Sequence, residues 1–249
     1  MLATFYLGTH MPHWLRQIDI PLFVSHRRLM DRKTLPRAIG SWALDSGGFT
    51  ELHTFGGWNT TPTEYVTAVR RYADEIGNMD WAAPQDWMCE PSALAATGGT
   101  VAGHQMRTVT NYLQLRDQLG DLVVPVLQGW ERDDYLRCVD LYDTHGVDLT
   151  LADRIGLGSV CRRNAESDIA HIVADLQPLR LHAFGIKGAA WKLVNDRVVS
   201  ADSMAWSANG RRQRTVGHSH KSCANCLEFA MRWYRKTLAQ AEQRLPLGV

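Results

Sequence analysis

Long hydrophobic runs are missing from this chain: no window approaches the roughly 18–20 consecutive apolar residues that a membrane-spanning helix needs. The stretch from Met1 to His10 shows no charged start followed by a long apolar region, so no secretory leader is visible. Cysteine is scarce and odd in number, five in all, and only Cys223 and Cys226 lie close together. That usage argues against a disulfide framework and for a reduced, cytoplasmic protein. Net charge is nearly absent too: 27 Lys and Arg against 26 Asp and Glu leave +1, so bulk electrostatics announce no polyanionic partner. There is no Walker phosphate loop and no convincing dinucleotide fingerprint, and no repeat, low-complexity tract or Ser/Pro-rich linker.

What remains is a chain of 249 residues, 45% hydrophobic, which can bury a full core as one large domain or two small ones. Short apolar runs predict strands near Thr4–Leu7, Pro21–Ser25, Trp42–Leu44, Asp80–Ala83, Val123–Leu127, Ile155–Leu157, Leu181–Phe184 and Val198–Ala201. Helical patterns fall between them. The clearest starts at Thr61-Pro62-Thr63-Glu64, a capping box with proline at the first helical position, and Gly77 stops it. Others are expected over Gln105–Leu119, Arg132–His145 and Arg163–Leu176, and a long terminal helix from about Lys221 to Arg244. Alternating strands and helices predict an α/β fold, a (β/α)8 TIM barrel whose first two units are the least regular, with an open doubly wound sheet as the alternative.

Chemistry in such a barrel collects at the C-terminal strand ends. Here they carry Asp45 with Ser46, Gln85 with Asp86, Gln128 with Gly129, Gly158 with Ser159, Gly185 with Lys187, and Asp202 with Ser203. Any one acid could simply cap the following helix. Their convergence on one rim is harder to dismiss, and Asp45 and Asp202 stand out as a paired-carboxylate candidate. Gly47, Gly48, Gly129 and Gly158 would let a flat ligand lie against backbone, Asp86 and Gln128 could read the edge of a heterocycle, and Phe49, Met88, Met204, Trp58, Trp87 and Trp130 offer ring contacts or plain packing. Two basic runs, Arg27 to Arg37 and Arg211 to Lys236, are either solvated faces or phosphate contacts; Lys187, Arg162, Arg163, Arg211 and Arg212 are the nucleic-acid candidates.

His218, His220, Cys223 and Cys226 place two imidazoles and two thiols within nine residues. Reduced Cys-x-x-Cys with neighbouring histidine suits a tetrahedral structural zinc in a subdomain at about 208–230; a redox pair is the competitor, and spacing alone leaves open which four ligands close the site.

Taken together, Asp45-Ser-Gly-Gly-Phe49, Val126-Leu-Gln-Gly129, Gly156-Leu-Gly-Ser159, His182-Ala-Phe-Gly-Ile186 and Asp202-Ser203 resemble the tRNA-guanine transglycosylase superfamily. The chain is most similar to short, often phage-encoded members that place 7-deazaguanine bases in DNA. The resemblance spans about residue 43 to 227, with one departure: the family's usual zinc set is three cysteines and a distant histidine. It implies a single transglycosylase domain over 1–249 that replaces guanine with a 7-deazaguanine derivative such as 7-cyano-7-deazaguanine. Asp202 would be the nucleophile at the sugar C1′ and Asp45 the general acid and base. Ser46, Gly47, Phe49, Asp86, Gln128, Gly129, Gly158, Ser159 and Met204 would bind the base. The implied partners are DNA, with tRNA as the alternative, the free 7-deazaguanine base, and a homodimer or partner subunit. Host cytoplasm is the compartment if the chain is virus-encoded. A glycoside-type hydrolase and a non-catalytic zinc-containing nucleic-acid-binding subunit are the rival readings.

Overall fold

Alternation along a strand sends successive side chains to opposite faces, and here it sorts the core into two layers. The computed structural model describes residues 3–161, 166–213 and 217–242. In β1 (Thr4–Thr9) Phe5 and Leu7 join the large apolar layer, whereas Tyr6 joins a smaller one. The same split separates Leu22 and Val24 from Phe23 in β2 (Leu22–Ser25), and Trp42 and Leu44 from Ala43 in β3 (Trp42–Asp45). Trp81 of β4 (Met79–Ala82), Ala83, Val124 and Phe184 complete the smaller layer.

Between and after these strands lie α1 (Gly48–Phe55) and α2 (Pro62–Glu75). The chain continues through α3 (Pro91–Thr97), α4 (Val101–Leu119), β5 (Val126–Leu127) and α5 (Arg132–Thr144). It then runs through β6 (Ile155–Leu157), α6 (Glu166–Asp175), β7 (Leu181–Ala183) and α7 (Gly188–Val194). The last elements are β8 (Ser200–Ser203), α8 (Ala205–Arg212) and α9 (Leu227–Glu242). The capping box at Thr61 and Glu64 forms as expected, and Gly77 takes the left-handed conformation that ends α2.

Eight strands form one curled, TIM-like sheet in the order β4-β3-β2-β1-β8-β7-β6-β5, and all their pairings are parallel. The end of β4 meets the segment before β5 at an isolated parallel bridge between Ala82 and Val123, where the Val124 N–H donates to Ala82 O at 3.2 Å. The expected strand Val123–Leu127 shrinks to two residues because Pro125, which lacks an N–H, interrupts it. β1, β2 and β3 are joined through 3-10 turns, Pro12–Arg16 and His26–Arg28, instead of full crossover helices.

Two boundaries move in ways that matter. β8 starts at Ser200, so Asp202 lies within the strand, paired with Tyr6, rather than beyond its end. The terminal helix starts at Leu227, six residues later than expected, because the segment before it turns around the cysteine pair: Cys223 N–H donates to Gly210 O and Cys226 N–H to Cys223 O. A Cβ on Gly210 would sit 2.5 Å from Cys223 O, so glycine allows that loop to lie against α8. The expected helix Arg163–Leu176 is described as Glu166–Asp175; its first residues fall outside the described ones. Among the described residues no helix is long and apolar enough to cross a membrane.

Trp206 ties α8 to the sheet. It is fully buried, donates its indole N–H to Gly8 O at 2.8 Å and packs its ring 5.4 Å from that of Trp14. Trp206→Ala is expected to lower unfolding free energy by about 3–5 kcal/mol in urea titration. A loss below about 1 kcal/mol would show that this ring does not anchor α8.

Candidate active site

Because every strand runs the same way, their C-terminal ends share one rim, and a cavity of about 590 Å³ opens there. Asp45 ends β3 on the same strand face as Ala43, and Asp202 lies in β8 on the same face as Ser200. The two strands are separated by β2 and β1 in the sheet, yet both acids line the cavity. Burial raises the Asp45 carboxyl above its ordinary pKa; hydrogen bonds from Ser25 and the Gly47 backbone oppose the rise, and the Asp202 charge adds to it. The Asp202 charge is thus felt at Asp45 across the cavity.

Asp86 is the third acid of the cavity, and burial followed by the Asp45 charge pushes its pKa up to about 7. A chain of polar groups holds it. Cys89 N–H donates to Ser159 Oγ at 2.8 Å, and Ser159 Oγ donates to Gln128 Oε1 at 2.8 Å. Gln128 Nε2 then donates to Asp86 Oδ2, while Ser46 Oγ donates to Asp86 Oδ1 at 3.3 Å. In this order the Gln128 amide presents its nitrogen to Asp86 and its oxygen to Ser159. Gly158 makes room for it, since a Cβ there would fall 2.2 Å from Gln128 Nε2. Ser159 adopts φ 55°, an uncommon conformation for a non-glycine residue.

Asp202 is held by a different set. Gly185 N–H donates to Asp202 Oδ1 at 2.9 Å, and His182 Nε2 lies 3.3 Å from the same oxygen. The His182 ring is fully buried against Trp81, Phe184 and Phe23, and burial lowers its pKa, leaving the neutral imidazole. With Asp202 Oδ1 as the acceptor, the single ring proton is placed on Nε2. Nδ1 then accepts from Ser200 Oγ at 2.8 Å.

The sequence-predicted residues divide on inspection. Gly47, Phe49, Asp86, Gln128, Gly158, Ser159 and Met204 line the cavity with the two acids. Ser46 and Gly129 do not. Ser46 is buried behind the rim on Asp86, and a Cβ on Gly129 would meet Asp134 Cβ at 2.8 Å, so that glycine serves the packing of α5. Met88 lines the cavity, whereas Trp87 stacks under Arg107 away from it. Arg162 and Arg163 lie outside the described residues. Lys187, Arg211 and Arg212 are exposed and do not line this cavity.

Sequence reasoning missed Thr9, His10 and Ser25 at the ends of β1 and β2, which line the cavity together with Arg27 and Arg28 of the first basic run. The apolar runs before those positions were visible, but nothing in their spacing distinguished them from ordinary strand ends. Arg27 is ion-paired to buried Glu51, which also accepts from Asn59 N–H at 2.9 Å. The first basic run is thus not one patch: Arg37 instead donates to Asp74 O at the end of α2.

Away from the rim, His218, His220, Cys223 and Cys226 bring their donor atoms within 4.8 Å of one another, a cluster that could hold a metal ion. His218 Nδ1 lies 3.5 Å from Cys223 Sγ and 3.6 Å from Cys226 Sγ, while its Nε2 meets Glu228 Oε2 at 3.0 Å. Both expected histidines belong to the cluster.

The raised pKa of Asp86 has a consequence for stability. The folded protein keeps a proton near pH 7 that the unfolded chain releases near 3.8, so stability falls as pH rises between those values. Asp86→Asn keeps the shape without the titration, and its melting temperature is expected to fall less than that of the wild type between pH 5 and pH 8. An equal fall in both proteins would place the titration elsewhere.

No curated protein matches the sequence. Solved structures similar to the chain include one of oxaloacetate acetylhydrolase, at 11% identity and TM-score 0.48 over 98% of this chain and 94% of that one. Another is the structure of oxaloacetate acetylhydrolase in complex with the product oxalate, at 12% identity and TM-score 0.49 over 100% and 84%. Likeness at that level carries no chemistry across. A family model matches residues 1–247, nearly the whole length: the chain belongs to the family DpdA, DeoxyPurine in DNA protein A, a tRNA-guanine transglycosylase-like family in DNA modification.

Proposed function

We propose that this chain exchanges guanine in DNA for a 7-deazaguanine derivative, such as 7-cyano-7-deazaguanine, through a covalent intermediate on Asp202. The observation that carries the reading is the meeting of Asp45 and Asp202 in one cavity, beside the ordered Asp86–Gln128 pair. Family membership supports DNA as the substrate. The described fold supports a full (β/α)8 barrel with a metal-bearing C-terminal segment.

In this scheme Gly185 N–H and His182 Nε2 both engage Oδ1 of Asp202, so Oδ2 is the atom offered to the sugar. Attack by Oδ2 forms a bond to C1′ as the glycosidic bond to guanine N9 breaks. Asp45, whose raised pKa favours its proton, delivers that proton to the departing base. The incoming 7-deazaguanine returns a proton to Asp45 as its N9 bonds C1′ and the Asp202 ester bond breaks. Protons and electron pairs balance over the cycle, and the bond made resembles the bond broken, so the exchange needs neither ATP nor a redox partner. Carboxylate support of an oxocarbenium-like sugar follows the logic of retaining glycosidases. Asp86 and Gln128 read the base edge, and Phe49, exposed at the rim and stacked on His53, offers a ring face. A base in duplex DNA has to be extruded to reach this depth.

The His/Cys cluster fits structural zinc. Zn–S bonds of about 2.3 Å and Zn–N bonds of about 2.0–2.1 Å imply tetrahedral N···S edges of about 3.5–3.6 Å. The two His218–cysteine separations, 3.5 and 3.6 Å, have that length. Glu228 on His218 Nε2 supplies the outer partner that ligating histidines usually have. The metal would staple the loop to α8 and α9 and takes no part in the exchange.

Two measurements test these assignments. Asp202→Asn is expected to lower base exchange, followed with labelled guanine and DNA, by about 10³-fold or more while sparing DNA binding. Full exchange in that variant would remove the nucleophile assignment, exchange into tRNA alone would redirect the substrate, and release of guanine without replacement would make the enzyme a hydrolase. Metal analysis should find about one zinc per chain, and Glu228→Ala should weaken retention against a chelator by about 10–100-fold. A folded, metal-loaded Cys223→Ser protein would overturn the cluster.

A further inference from the structure

A second cavity, about 980 Å³, lies between the start of α7, α8 and α9. Four cations line it, Lys187, Arg212, Arg232 and Lys236, and no carboxylate does. All four are exposed. In a chain whose net charge is only +1, that is a strong local concentration. Helix stability explains it only in part, through Glu228 standing four residues before Arg232 on α9. Arg232 and Lys236 stand four apart on α9, where like charges repel. Lys187 occupies the N-cap of α7, the end at which the helix dipole disfavours a cation. Only Arg212, in the last turn of α8, sits where the dipole welcomes it.

The groove adjoins the active cavity at two points along the chain. Gly185 and Met204 line the active cavity, while Lys187 and Ala205 line the groove. An extended polyanion lying in the groove would therefore arrive at the rim within two residues of Asp202's own hydrogen-bond partner, Gly185. Trp233 and Phe229, the latter under the Arg232 guanidinium at 5.5 Å, add ring surface to the lining, the combination of cation and aromatic that single strands favour.

We infer that this groove holds the sugar–phosphate backbone of the DNA strand flanking the exchanged base. The inference rests on the DNA-exchange reading for its occupant, and it assigns Arg232, Lys236 and Lys187 to phosphate contact rather than to catalysis.

The test uses the full chain and a fluorescein-labelled 20-mer DNA, single-stranded and duplex, with anisotropy read over a salt series. Arg232→Ala/Lys236→Ala should raise Kd about tenfold or more at moderate salt and reduce the slope of log Kd against log salt by about one to two. Arg70→Ala, on α2 between β3 and β4 and outside the groove lining, should bind as the wild type does. Melting curves verify folding, and Lys236→Gln alone carries the comparison if the double variant is unstable. Unchanged affinity and slope in the groove variants, or wild-type protein that binds no DNA or binds poly-glutamate as tightly, would overturn the groove. Nucleoside mass spectrometry on the same wild-type protein separates the two ideas: groove-dependent binding without base exchange sinks the reaction and leaves the groove, and exchange with groove-independent binding does the reverse.

Discussion

Carboxylates that share one low-dielectric cavity cannot all ionise freely, and this constraint organises the rim of the sheet. Asp45 and Asp86 are both pushed toward their protonated forms, first by burial and then by a neighbouring acid. Asp202 sits in the same cavity with two nitrogen groups directed at one of its oxygens. Environment thus separates three chemically identical side chains into different roles: a proton donor, a base-edge reader and a nucleophile in the proposed scheme. Catalytic acid and base assignments arise when neighbouring groups are driven apart in this way.

The supporting residues make sense only against that demand. Buried polar groups need partners, and here the partners also fix orientation. Ser159 and Gln128 form a relay that positions Asp86, while Ser200 and His182 form another that positions Asp202. The first relay joins the segments after β6, β5 and β4, so it exists only once the sheet has curled to bring β4 beside β5, whereas the second joins the directly paired strands β7 and β8. Gly158 and Gly156 permit the close approaches involved: added Cβ atoms would strike the Gln128 amide and the Phe184 ring. Below them, Tyr6, Phe23, Trp81 and Phe184 pack around His182 and keep water from its floor.

The C-terminal segment links the remaining features. The His/Cys cluster lies in the loop between α8 and α9, and Trp206 of α8 reaches the sheet at Gly8. Tyr234 of α9 donates to Phe5 O at 3.1 Å, a second tie to β1. A metal held by the loop would restrain the spacing of the two helices that form most of the cationic groove. In that arrangement substrate positioning depends on a site remote from the bond being exchanged.

Much of the architecture was legible in local pattern. Alternation and capping signals place seven of the strand cores and the capping box of α2 close to where they lie, because those signals act over a few neighbouring residues. Parity alone puts Asp45 with Ala43 on the inner face of β3, and the Cys-x-x-Cys with its histidines marks the cluster. Local pattern misled where a residue's partner is distant in sequence. Ser46 and Gly129 look like ligand contacts until Asp86 and Asp134 are seen behind them. Ser25 looks like an ordinary strand-end residue until the curl of the sheet carries it to Asp45, and neither the motif at His182 nor the basic run at Arg27 tells which acids those side chains meet. The chain's own order determined the strands, the caps and the chemical types available. Only the tertiary structure decided which of those groups share a cavity, because charge coupling and hydrogen bonding depend on distance through space, and β3 and β8 are brought together by the closure of intervening strands rather than by proximity in sequence.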